Sequence, residues 1–221
     1  MTDRIYIVGC ARSGTTLLRR LFHAFEGVQV VPYEIDLDAF AAMDPDEPGV
    51  VLVGKRTVAT VFSNQLPVDE GRRQVDLLRS RPDICVLCIY RDGRDVVESE
   101  YAPPSRWLSS IHQMVVWGDM HLSLKYEDLV TEPDAIQGHL AVEYGLTPVH
   151  RWSEYPSFFP GDDHKDIYRP QPIGTHRVHK DLTAYRRMDP WLAPQMEQAL
   201  TYLGYMEDPC HLTGGDSRAA A

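Results

Sequence analysis

No run of 18 apolar residues occurs in the chain, so no segment is composed to cross a bilayer as a helix. Met1-Thr2-Asp3-Arg4 passes straight into Ile5-Tyr6-Ile7-Val8, without the basic stretch and long apolar core of a secretory leader. Cysteine is scarce. Four in 221 residues do not make a disulfide framework for a chain of this length. Cys85 and Cys88 form a C-x-x-C, but no second Cys/His pair at zinc spacing accompanies them. They lie in the apolar run 84–89, where residues three apart on a strand point to opposite faces, and they read as buried thiols. Cysteine usage and the missing leader point to the cytoplasm. Positive charge is also short, with 22 Lys+Arg against 32 Asp+Glu and a formal net charge of −10. That balance argues against a polycation that coats nucleic acid or anionic lipid. It leaves room for a small anionic ligand held by a few arginines.

What is present is an ordinary globular composition, 43% hydrophobic, in a length able to bury a substantial core. Apolar runs at 4–9, 28–31, 50–53, 84–90 and 121–125 read as strands, with Pro32 and Gly54 closing the second and third. Helical spacing occupies 14–25, 69–80, 94–101, 107–117, 133–144 and 190–203. Strands alternating with helices predict an α/β fold: a three-layer sandwich with a central, mostly parallel sheet covered on both faces. The segment 147–179 breaks the pattern with five prolines and with aromatic residues from Trp152 to Tyr168. It reads as a binding loop or lid, or as aromatic residues packing a small core of their own. One domain is expected over 1–213, with a flexible tail at 214–221.

The strongest local signal is Gly9-Cys10-Ala11-Arg12-Ser13-Gly14-Thr15-Thr16, which follows a strand and opens a helix. This is the setting of a phosphate-binding, P-loop-like turn. The glycines permit tight turns that aim N–H groups at an anion, and the hydroxyls of Ser13, Thr15 and Thr16 can add hydrogen bonds. The spacing fits a nucleoside-triphosphatase loop except that Thr15 stands where such a loop carries its lysine. The positive charge sits earlier, at Arg12. A second signal is Tyr90-Arg91-Asp92-Gly93-Arg94-Asp95-Val96-Val97-Glu98-Ser99. Arg91 ends a buried strand, where open α/β sheets bind ligands. Ser99, eight residues on, can share an anion with it.

Together these segments resemble the sulfotransferases that use 3′-phosphoadenosine 5′-phosphosulfate (PAPS). The resemblance matches Arg12 to Leu17 with the family's R-S-G-T-T-L loop for the 5′-phosphosulfate. It matches Arg91 to Ser99 with the R-D-P-R-D-V…S segment, whose Arg and Ser bind the 3′-phosphate, except that Gly93 replaces the usual proline. Lys125-Tyr126-Glu127-Asp128-Leu129 is similar to the family's R-Y-E-D-L, and Tyr202-Leu203-Gly204-Tyr205 is a further echo. The segment around Arg177 and Lys180 resembles the late basic stretch that closes over the cofactor. The resemblance implies a PAPS-dependent enzyme with no metal, moving a sulfuryl group to an acceptor hydroxyl on a carbohydrate or small molecule.

Such chemistry needs a base for the acceptor proton and positive charge on the leaving group. Arg12 supplies charge. Glu34, just past the second strand, is the favoured base, because related sulfotransferases carry a catalytic glutamate shortly after that strand. Asp36, Asp38 and His112 are its rivals. Lys55 or Arg56 is expected to assist the leaving group, with Arg56 aligned to the family's K-T-P lysine. A P-loop kinase or nucleoside triphosphatase is one alternative, and a non-catalytic anion-binding protein on the same fold is another. Charge is uneven along the chain: 1–31 carries +2 and 165–187 carries +4, against −6 over 32–50 and −5 over 132–164. If the acidic stretches border the acceptor, a neutral or cationic acceptor is favoured, with no nucleic acid as partner.

Overall fold

The computed structural model describes residues 3–57, 68–99, 101–159 and 183–207. Five strands form one parallel sheet: β1 (Arg4–Gly9), β2 (Val28–Glu34), β3 (Val51–Thr57), β4 (Ile84–Tyr90) and β5 (His121–Lys125). Their order is β2-β3-β1-β4-β5, with every pairing parallel. The helices are α1 (Thr15–Leu21), α2 (Leu37–Ala42), α3 (Val68–Ser80), α4 (Gly93–Glu98), α5 (Pro104–Trp117), α6 (Tyr126–Thr131), α7 (Pro133–Tyr144), α8 (Tyr155–Phe158), α9 (Thr183–Arg186) and α10 (Ala193–Tyr202).

The period-two alternation of the central strands divides the apolar interior into two layers. Tyr6, Val8, Leu52, Val86 and Cys88 face one side and pack with Phe40, Trp107, Trp117, Met196 and Leu200. Ile5, Ile7, Val53, Leu87 and Ile89 face the other and pack with Leu18, Leu21, Leu140 and Trp152. The three-layer α/β architecture expected from the alternation is therefore present. Cys88 lies in the first layer while Cys85 packs against the second, and neither is in a disulfide.

Several boundaries differ from those the sequence suggests, each for a local reason. Pro32 does not close β2, which runs on to Glu34. β2 is an edge strand whose pairing with β3 shifts register between Val30 and Glu34, a place where a missing N–H is tolerated. Gly54 does not close β3 either. It lies inside the strand, and its lack of a side chain is a packing requirement, since a Cβ there would stand 2.5 Å from the Phe40 ring. The helix expected over 14–25 stops at Leu21 and tightens into a 3₁₀ turn, Phe22–Ala24. α6 follows β5 with no intervening loop, where the periodicity gives no helix. The described part of 147–179 is anchored by buried aromatic residues, while most of its other residues are exposed. Trp152 and Tyr155 are 0% and 2% exposed, and Trp152 meets Phe22 and Phe25 edge to face. These aromatic residues pack the core, while Tyr168 lies outside the described residues.

Because Phe40 is fully buried, its ring has no room to swing away from an added methyl. Gly54→Ala is expected to lower stability by about 1–3 kcal/mol through overpacking. Urea unfolding checks this: the midpoint falls while the slope is unchanged.

Candidate active site

The carboxyl ends of β1, β3 and β4 lie side by side, with β1 in the middle, as an open α/β sheet requires for a ligand crevice. A cleft of about 890 Å³ opens there, within the range of ligand-sized sites. β1 enters through Gly9, where a Cβ would stand 2.2 Å from the Ile89 carbonyl oxygen of β4. The loop that follows turns tightly. Ser13 N–H donates to the Cys10 carbonyl at 3.1 Å. Arg12 has φ +71° and Gly14 φ +92°. Among the described residues Arg12 is the one non-glycine in the left-handed region, a conformation that costs about 1–2 kcal/mol. Gly14 is required on packing grounds as well, since a Cβ would lie 2.4 Å from the Tyr126 ring.

Arg12, Gly14, Thr15 and Thr16 line the cleft, as do Glu34, Arg91 and Ser99. The structure thus brings together most of the residues singled out in the sequence. Ser13 is different: its side chain is fully buried, and its Oγ has no hydrogen-bond partner among the described residues. Arg177 and Lys180 lie outside the described residues.

One side of the cleft is a chain of polar contacts. Lys55 Nζ donates to Glu34 Oε1 at 2.7 Å and to Thr16 Oγ1 at 3.0 Å. Thr57 Oγ1 donates to Glu34 Oε2 at 3.0 Å. The buried Arg19 of α1 donates to the Val31 carbonyl at 3.3 Å and to that of Pro32, fixing the end of β2 from which Glu34 projects.

Arg56, expected beside the leaving group, does not line the cleft. It faces the α2 side of β3 and pairs with Asp36, which also removes Asp36 as a rival base. The choice between Lys55 and Arg56 is set by alternation: Val53, Lys55 and Thr57 share one face of β3, and Arg56 is on the other. Asp38 is held by Arg73 of α3 through both carboxylate oxygens. His112 is exposed in a separate groove between α3 and α5.

The opposite side carries the second motif. Arg91 Nη1 donates to the Arg12 carbonyl at 3.2 Å, and Nη2 pairs with Asp95 at 3.2 Å. Its guanidinium lies 4.8 Å over the Tyr126 ring. Ser99 Oγ donates to the Val96 carbonyl at 2.6 Å. Gly93 has a packing reason: a Cβ would come within 2.7 Å of the Trp107 indole, so this chain has no room for the family's proline. Sequence reasoning missed Arg106 of α5, Tyr101 and Glu98 as lining residues. Tyr101 stands under the Arg12 guanidinium at 5.4 Å, and Glu98 accepts Tyr185 N–H at 2.8 Å. Nothing in their local pattern marks them, because they reach the cleft through helix packing. Among the described residues of the two acidic stretches, Glu34 alone lines it, so the charge argument about the acceptor has little support.

Burial works to raise the Glu34 carboxyl. The hydrogen bond and charge of Lys55, with the Thr57 hydrogen bonds, outweigh it and hold the group below its ordinary 4.5. Lys55 moves the other way in net favourability: desolvation lowers it below 10.5, only partly opposed by Glu34 and reinforced by Arg19 and Arg20. The partners differ because the lysine side chain is 6% exposed and the glutamate 43%. The Glu34 contribution to stability is therefore present above the unfolded carboxyl pKa and lost as pH falls through the depressed folded value. Lys55→Met is expected to move the Glu34 titration upward, because burial then acts against fewer charged-form contacts. A carboxyl NMR titration checks this, and an unmoved Glu34 would refute the assignment of Lys55 as its main support.

No protein-family model matches the sequence, and no curated protein matches it. Solved structures do. The sulfotransferase domain of the Synechococcus PCC 7002 olefin synthase is 16% identical, with TM-score 0.59 over 94% of this chain and 96% of its own. The sulfotransferase domain from the curacin biosynthetic pathway is 14% identical, with TM-score 0.55 over 93% and 99%. A sulfotransferase from Alicyclobacillus acidocaldarius is 13% identical, with TM-score 0.54 over 95% and 98%. At these identities the likeness establishes the fold: a parallel α/β sheet of the kind found in sulfotransferase domains.

Proposed function

We propose that this chain is a sulfotransferase that moves a sulfuryl group from PAPS to an acceptor hydroxyl, on a carbohydrate or small molecule. The observation that carries the reading is the Glu34–Lys55–Thr16 chain of hydrogen bonds at the mouth of the Arg12 loop, with Arg91 and Ser99 across the same cleft. It puts a carboxylate and a buried ammonium at the loop expected to hold the phosphosulfate. Four cations, Arg12, Lys55, Arg91 and Arg106, line the cleft against Glu34 and Glu98, which suits a polyanionic donor.

In this reading Glu34 takes the acceptor's hydroxyl proton as the acceptor oxygen forms its bond to sulfur. The bond between sulfur and the bridging phosphate oxygen breaks, and its electron pair stays on that oxygen. Lys55 and Arg12 provide positive charge there. Arg12, always protonated, stabilises charge without exchanging a proton. A depressed carboxyl is a weak base, but Lys55 links the two ends of the reaction. As negative charge develops on the leaving oxygen, Lys55 is drawn from Glu34, and the carboxylate it had been stabilising becomes more basic. A loose transition state, with the proton leaving late, suits such a base.

The kinase or triphosphatase alternative has one point in its favour, since Lys55 brings to Thr16 the ammonium that the loop itself lacks. Calorimetry separates the readings. Binding of adenosine 3′,5′-bisphosphate without Mg²⁺ is expected; selective, Mg²⁺-dependent binding of ATP would sink the sulfotransferase reading. Glu34→Gln is expected to lower kcat by about 10²–10⁴-fold while leaving bisphosphate affinity near that of the parent. Near-native turnover by that variant would remove Glu34 as the base.

A further inference from the structure

Two segments noted in the sequence, Lys125-Tyr126-Glu127-Asp128-Leu129 and Tyr202-Leu203-Gly204-Tyr205, have so far entered only through Tyr126. They meet beside Arg91. The peptide unit joining Arg91 to Asp92 is held from both sides. Its carbonyl oxygen accepts from Trp107 Nε1 at 3.0 Å, and its N–H donates to Glu127 Oε1 at 3.1 Å. The other oxygen of the same carboxylate, Oε2, accepts from Tyr205 Oη at 2.6 Å.

Tyr205 is itself delivered by the end of α10. Gly204 turns at φ +73°, Tyr205 N–H donates to the Leu200 carbonyl at 2.8 Å, and Gly204 N–H donates to that of Thr201 at 3.0 Å. This is the paired hydrogen bonding by which a left-handed glycine closes a helix. The Tyr205 ring then lies under Lys125 Nζ at 4.2 Å and edge-on to Tyr90 at 6.2 Å, and its carbonyl accepts from Arg94 Nη2 at 3.4 Å.

We propose that Glu127, fixed by Tyr205, is a positioning residue that clamps the Arg91–Asp92 peptide and so sets the aim of Arg91 across the cleft. Clamping both ends of one peptide unit restricts the backbone dihedrals on either side of it, and the Arg91 side chain departs from that backbone. Glu127 needs both oxygens as acceptors, one for each donor. An amide in its place keeps one acceptor for the Asp92 N–H but loses the carboxylate's charge and its second acceptor, so the Tyr205 hydroxyl would have to turn and accept from the amide N–H. The proposal rests on the reading that Arg91 binds the donor phosphate remote from the Arg12 loop.

The test compares the dissociation constants of adenosine 3′,5′-bisphosphate and AMP, measured by calorimetry. AMP lacks the phosphate assigned to Arg91. The parent protein is expected to prefer the bisphosphate. Glu127→Gln and Tyr205→Phe are each expected to reduce that preference by about tenfold while leaving AMP affinity within about twofold, as loss of one charge-assisted contact implies. The double variant is expected to be no worse than Glu127→Gln alone, because both act through one carboxylate. An unchanged preference in both single variants overturns the positioning role, and so does equal weakening of both ligands, which marks a general loss of structure. If the parent itself shows no preference for the bisphosphate, the donor reading falls and the proposal with it.

Discussion

The contact between β1 and β4 at Gly9 is the constraint on which the site depends. Strands in a sheet are about 4.8 Å apart, and at its carboxyl end β1 lies so close to Ile89 that no Cβ fits. With β3 on its other side, β1 therefore brings three strand ends to one place. The loop after β1 carries Arg12, β3 ends in Lys55 and Thr57, and Arg91 directly follows β4. The Arg91 hydrogen bond to the Arg12 carbonyl spans the first and last of these directly. Cleft-lining groups from distant parts of the chain meet because a parallel sheet aligns all its carboxyl ends along one edge.

Charge is organised on the same principle of separation. The chain is acidic overall, yet the cleft is lined by more cations than carboxylates. Many acids are neutralised where they stand: Asp36 by Arg56, Asp38 by Arg73, and Asp83 by Arg4 and Arg81. Arg81 holds the Asp83 carboxyl at about 2. The Asp36 and Asp38 pairs lie toward the surface and add little stability of their own. Their effect is to occupy arginines and carboxylates outside the cleft.

Much of the architecture was legible because it follows from period. Continuous apolar runs such as Ile84–Tyr90 fit only strands buried on both faces, and a glycine-rich strand-to-helix turn identifies its own position. The Glu34 site was legible in part. Lys55 and Arg56 are adjacent, and choosing between them required knowing that β3 continues past Gly54. Gly54 is a glycine to make room for the Phe40 ring of α2, not to end the strand, and that ring lies in another element. Gly93 is explained only by Trp107, fourteen residues further along. Tyr101 and Arg106 owe their place to how α5 packs, which no local spacing encodes. In each case the deciding contact lies far along the chain from the residue it decides.

The closing turn of α10 ties the carboxyl-terminal part of the described chain to the backbone that follows β4. Tyr205 is at once the residue that follows the helix-ending glycine and the donor that holds Glu127. Positions 204 and 205 thus join helix termination to the backbone from which Arg91 departs. Anyone trimming this polypeptide, or splicing it to another domain, must make the cut beyond Tyr205, since a joint even one residue earlier would remove the hydroxyl that holds Glu127 against the Arg91–Asp92 peptide.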